Sequence, residues 1–148
     1  MDEKRLVTRA LLAALWLLAA SAPAAAEVRI RSSPGGEVGH YLAFFTLVRQ
    51  SGQRVVIDGP CLSACTLVLS IIPSDRICVT RRAVLGFHAA RERDDRTGRL
   101  YQASEATQLI AATYPDSIQD WIARHGGLSR RLILLRGPEL SAFYPSCR

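Results

Sequence analysis

The chain has 148 residues, 49% hydrophobic and 22% charged, which suits one globular domain rather than two. Its formal charge is +6 at pH 7, and its only lysine is Lys4. The surplus arginine forms no basic stripe interleaved with aromatics. Acids alternate with it, as in Arg91-Glu92-Arg93-Asp94-Asp95-Arg96, so no nucleic-acid partner is expected.

Residues 1–26 read as a removable export signal. Lys4, Arg5 and Arg9 make a positive start, and Ala10 to Ala20 is wholly apolar. Pro23 breaks the run, and Ala24-Ala25-Ala26 is a small-x-small pattern cut before Glu27. The run is short of the roughly 18–20 residues a membrane span needs, so no stable span is expected after cleavage. Cleavage leaves a single domain at residues 27–148 in the periplasm or outside the cell. Three basic and two acidic residues go with the signal, which leaves a charge of +5. In an oxidising compartment Cys61, Cys65, Cys78 and Cys147 are expected to form disulfides, and three pairings are open. Cys61-x-x-x-Cys65 has no Cys/His pair following at zinc spacing, so neither metal nor cofactor is expected.

In chain order, Val28 and Ile30 alternate with polar residues and predict a strand from Glu27 to Ser32. Ser33-Pro34-Gly35-Gly36 is a turn. Leu42, Phe45 and Val48 recur at helical spacing within Val38 to Gln50, and Ser51-Gly52 stops that helix. Val55-Val56-Ile57 is a short buried strand. Ser63 to Ile72, apolar nearly all round, is a buried helix ended by Pro73. Arg76 to Thr80 and Ala83 to His88 are two further strands, and Arg91 to Arg99 is a charged loop. Helices follow at Ala103 to Thr113 and Ser117 to His125, the latter with a capping box on Asp116 or Ser117. Leu128 to Arg136 is read as one more helix. The order β-α-β-α-β-β-α-α argues for an α/β layered fold with parallel crossovers.

Ser63 sits where a strand and turn become a buried helix. Alone, such a serine is a helix cap. The same place suits a nucleophile, because free N–H groups at a helix start can bind a developing oxyanion. His88 ends a strand and alone reads as a core or rim residue. Strand ends and helix starts of neighbouring parallel units share one sheet edge, which lets Ser63 and His88 converge as nucleophile and base. Gly35-Gly36 can bring one oxyanion-binding N–H and Ala64 the other. With no lysine after Lys4, a Ser-Lys pair is closed to this chain. Of the other histidines, His40 near a helix start could line the same edge, and His125 at a helix end reads as structural. Cys65, close to Ser63, reads as a disulfide partner rather than a catalytic thiol.

Taken together, Ile30 to Gly36, Gly59-x-x-x-Ser63-Ala64, Arg76 to Val79 and Leu85-Gly86-Phe87-His88 resemble the Clp-type serine protease core. The order and spacing agree from Val28 to about Ala90, with His88 25 positions after Ser63. The resemblance implies a ClpP/crotonase-like stacked β-β-α spiral, here shortened at its N-terminus. It implies Ser63 as nucleophile, His88 as base, and Gly36 with Ala64 as oxyanion donors. It also implies a third, acidic residue near the C-terminus, where Asp116, Asp120 and Glu139 lie and Glu139 is nearest by position. The implied activity is an exported serine peptidase acting on peptides or unfolded polypeptides, with homo-oligomer formation open. The alternative is a fold relative without catalysis that binds peptides or a partner.

Overall fold

The computed structural model describes residues 26–147. The expected signal at residues 1–26 lies, but for its last residue, outside them. Among the described residues no helix is long and apolar enough to cross a membrane.

Strand β1 (Glu27–Ile30) leads through the Ser33-Pro34-Gly35-Gly36 turn into helix α1 (Val38–Gln50). The helix turns Phe45 and Val48 into the core, with Tyr41 packed beside them, and ends at Ser51-Gly52 as expected. Strand β2 (Arg54–Ile57) then pairs in parallel with β1, and β4 (Ile77–Val79) pairs in parallel with β2. Val55, Ile57 and Ile77 are fully buried in this first sheet. Parallel neighbours need a crossover, which α1 provides between β1 and β2.

At the end of β2 the chain leaves that sheet. The Asp58 N–H donates to the Ile30 carbonyl at 2.8 Å. Gly59 then passes so close to Arg31 that a Cβ there would lie 1.9 Å from the Arg31 carbonyl oxygen. Only a glycine fits this step. The step itself opens a strand that the sequence did not announce, β3 (Pro60–Leu62), which belongs to a second sheet with β5 (Val84–Phe87) at its centre and β8 (Ile133–Arg136) beyond it. Strand β5 (Val84–Phe87) runs parallel to β3. The Asp58 carboxylate knits the junction. It accepts from Arg82 Nη2 at 2.7 Å and Nε at 3.2 Å, from the Thr80 hydroxyl at 2.8 Å and from Arg29 at 3.3 Å. The Arg82 guanidinium, then the Thr80 hydroxyl, hold this carboxyl well below its ordinary value, at about 2.

The buried stretch after β3 is a 3-10 turn (Ser63–Leu67) running into the short helix α2 (Val68–Ile71), not one regular helix. Beyond β5, the segment expected as a charged loop contains an antiparallel hairpin, β6 (Arg91–Arg93) with β7 (Leu100–Gln102). Helices α3 (Ser104–Ala111) and α4 (Asp116–Arg124) follow. The expected capping box on α4 is not formed. Pro115 occupies the cap position without a side-chain bond, and Gln119 donates instead to the Tyr114 carbonyl at 2.7 Å.

The expected helix over Leu128 to Arg136 is corrected to a strand, β8 (Ile133–Arg136), antiparallel to β5 and followed by the short helix α5 (Gly137–Ser141). A continuous apolar run such as Ile133-Leu134-Leu135 does not distinguish helix from buried strand by periodicity. Burial against β5 decides it, with Leu135 and Leu85 directly paired and both fully buried. The core joins the two sheets through Phe45, Leu67, Phe87, Ile118, Trp121 and Leu140.

Two disulfides form, Cys61–Cys65 and Cys78–Cys147. The second ties the C-terminal segment beside β4, where Cys147 N–H donates to the Val79 carbonyl at 3.0 Å. Such bonds persist in an oxidising, non-cytoplasmic setting.

Candidate active site

Ser63 is the first residue after β3, with φ of 55°, and is the one non-glycine with positive φ among the described residues. Left-handed backbone costs an ordinary L-residue about 1–2 kcal/mol. A serine is held there only if its surroundings over-determine it. Capping does not explain it. Leu62 occupies the cap position of the turn and no side-chain cap bond forms.

A set of contacts holds the strained turn. The Ser33 N–H donates to the Pro60 carbonyl at 2.7 Å, and the Leu62 N–H donates to the Ser33 carbonyl at 2.9 Å. These lash the Ser33-Pro34-Gly35-Gly36 turn to the strand that delivers Ser63, and Ser33 Oγ meets the Tyr41 hydroxyl at 2.7 Å. Gly35, at φ of 85°, lies directly on Ser63, where a Cβ would come within 2.5 Å of Ser63 Cβ and 2.6 Å of the Leu62 carbonyl oxygen. The Cys61–Cys65 disulfide closes a small ring around Ser63, and both cysteines are buried. Below it, Thr66 Oγ1 donates to the Ser63 carbonyl at 2.7 Å. That uses the only Thr66 hydroxyl proton, so the Tyr114 hydroxyl, 2.6 Å away, must donate to Thr66. Burial pushes the Tyr114 phenol up, which keeps this donor protonated.

His88 follows β5 and is half-buried. Its Nδ1 lies 2.6 Å from the Ala89 carbonyl oxygen. A carbonyl only accepts, so Nδ1 carries the proton and Nε2 keeps its lone pair. That is the tautomer a general base needs, set here by the main chain.

Ser63, Ala64, Gly36 and His88 all line one cleft of about 660 Å³, together with Thr66 and Tyr114. The first N–H groups of a helical turn have no acceptor within it, and Ala64 is in that position. Gly36 makes no backbone hydrogen bond among the described residues. Both residues thus line the serine's cleft, and neither N–H has a backbone acceptor among the described residues. No hydrogen bond joins the Ser63 hydroxyl to His88 among the described residues.

Glu139 is not brought to this cleft. It sits in α5, accepts from Trp121 Nε1 at 2.7 Å and lies 3.6 Å from His125 Nε2. His125 stacks on Trp121 with ring centroids 4.0 Å apart, so Trp121, His125 and Glu139 form a cluster of their own. His40 is exposed, 3.6 Å from Glu37, and does not line the cleft. Cys65 is half of a disulfide and holds no free thiol. The sequence reading missed the contact of Gly35 with Ser63, the Tyr114–Thr66 chain and the Ala89 carbonyl. Gly35 carried a signal, as a glycine in a turn. A backbone acceptor carries none.

No protein-family model matches the chain, and no curated protein matches its sequence.

Proposed function

We propose that the protein is an exported serine hydrolase of the Clp type, cleaving peptides with Ser63 as nucleophile and His88 as base. The observation that carries this reading is the strained φ of 55° at Ser63 on the wall of the cleft it shares with His88. Backbone strain of this kind clusters at active sites. The parallel pairings of the two sheets support a ClpP/crotonase-like spiral, and the two disulfides support a periplasmic or secreted location.

In the proposed reaction Ser63 Oγ attacks the scissile carbonyl carbon while His88 Nε2 takes the hydroxyl proton. The Gly36 and Ala64 N–H groups hold the oxyanion. The C–N bond breaks as His88 returns the proton to the leaving nitrogen. Water, activated by the same imidazole, then hydrolyses the acyl-enzyme. A dyad whose imidazole is oriented by a carbonyl lacks the charge that a carboxylate offers the imidazolium, so turnover should be slower than in a full triad.

A second reading, a peptide-binding relative without catalysis, is favoured by one observation: the carboxylate of Glu139 is engaged with Trp121, away from His88. A fluorophosphonate probe separates the two. The hydrolase reading expects covalent labelling at Ser63 that Ser63→Ala abolishes and that His88→Ala slows by about 10²–10⁴-fold. Absence of labelling in folded, oxidised protein would leave the binding module.

A further inference from the structure

The cleft at Ser63 does not end at His88. Arg91 and Leu100 line it, and the same two residues line a second cleft of about 340 Å³ with Arg99 and Arg130. The two clefts adjoin at these two residues. The Ala89 N–H donates to the Ser129 carbonyl at 2.7 Å, which brings Arg130 alongside the chain that carries His88. Four arginines, 91, 93, 99 and 130, line the combined groove, against one acid, Glu37, at its Ser63 end.

The acids of the hairpin line neither cleft. Arg91 and Arg93 are two apart on β6 and share a face, and Glu92 points to the other. Glu92 accepts from the hydroxyl of Tyr101, a lining residue of the second cleft, at 2.8 Å, so its carboxylate stands beside that cleft already engaged. Asp94 is spent on the turn, accepting from the Arg96 and Thr97 N–H groups and the Thr97 hydroxyl. Asp95 lies at the exposed turn and lines neither cleft. Among the described residues Arg91, Arg93, Arg99 and Arg130 form no ion pair, and all four are exposed.

We propose that the groove selects acidic peptides: the scissile bond sits at Ser63 and aspartate or glutamate side chains of the substrate pair with Arg91, Arg99 and Arg130. The substrate class rests on the hydrolase reading, and the groove's charge preference stands apart from it. Guanidinium groups match carboxylates in a two-pronged geometry. Each pair at an exposed site is weak, so the preference comes from several acting together and is sensitive to salt.

Binding and chemistry are measured separately. Oxidised Ser63→Ala protein is titrated with a labelled decapeptide containing three glutamates, and with the same peptide carrying glutamine in their place. The glutamate peptide should bind about tenfold tighter, and the difference should vanish at high salt. Arg99→Gln with Arg130→Gln should reduce the difference to about twofold or less. Circular dichroism confirms that the variant is folded. Equal binding of the two peptides, or a preference that survives the double variant, overturns the proposal. So does an oligonucleotide that binds more tightly than the glutamate peptide. Probe labelling of the wild type is read in parallel. Labelling without acidic preference sinks the groove and keeps the hydrolase. Acidic preference without labelling does the reverse.

Discussion

At the scale of single residues, Ser63 concentrates the conflict between stability and chemistry. Its left-handed backbone is unfavourable for any residue with a Cβ, and glycine escapes that cost. Replacing it should therefore separate backbone from side chain. Ser63→Gly and Ser63→Ala both remove the hydroxyl and should both abolish probe labelling. Ser63→Gly should nevertheless be more stable than Ser63→Ala by about 1 kcal/mol in urea denaturation, because only the alanine variant keeps the strain. Equal stabilities would mean that the strain at Ser63 is not real. His88 is simpler: a single contact to the Ala89 carbonyl sets its tautomer. Nothing in the sequence distinguishes a histidine set by its neighbour's carbonyl from one set by a distant carboxylate, so the sequence offers only Asp116, Asp120 and Glu139, with Glu139 nearest by position.

At the scale of elements, the junction between β2 and β3 positions the site. Asp58 closes that junction to the turn before β5, and its pKa is lowered to about 2. The unfolded value is about 3.9. A lowered carboxyl contributes stability that is present above the unfolded value and is lost as pH falls towards the folded one. The stability difference between wild type and Asp58→Asn should thus be greatest above about pH 5 and shrink steadily between about pH 4 and pH 2. Denaturation curves across that range check it, and a difference that grows on acidification would refute the assignment. Elements were legible where the pattern was periodic and bounded. Helix α1 has apolar residues at helical spacing and a Ser-Gly stop, and it forms over Val38–Gln50 as expected. Strand β8 reads as helix in the sequence because its apolar run has no period of its own. The hairpin β6–β7 reads as a loop in the sequence because Arg91-Glu92-Arg93 shows no apolar face. Of the site, four of the residues expected from local motifs share one cleft. The fifth, Glu139, was chosen by position in the chain, and position does not report which side chain an indole will occupy.

At the scale of the whole molecule, the two disulfides act at different ranges. Cys78–Cys147 closes a loop with a sequence separation of 69 and anchors the C-terminal segment to the first sheet. On chain-entropy grounds its removal should cost about 4 kcal/mol, against about 2 kcal/mol for Cys61–Cys65, whose separation is 4. The effects on the site should rank the other way. Cys61→Ala with Cys65→Ala should cost most of the probe labelling of Ser63 while the fold survives. Cys78→Ala with Cys147→Ala should lower the denaturation midpoint and spare labelling wherever the protein remains folded. Mass spectrometry of the probe adduct beside urea titration reads both, and equal loss of labelling in the two variants would show that the small ring has no special role.

That ring has a biological consequence. A newly made chain in a reducing cytoplasm holds Cys61 and Cys65 as thiols, and the covalent ring around Ser63 is then absent. On the proposed chemistry such a hydrolase would be latent before the ring closes and active once an oxidising compartment closes it. The bond would do the work of a propeptide: it would protect the producing cell from a protease without any segment having to be cut away.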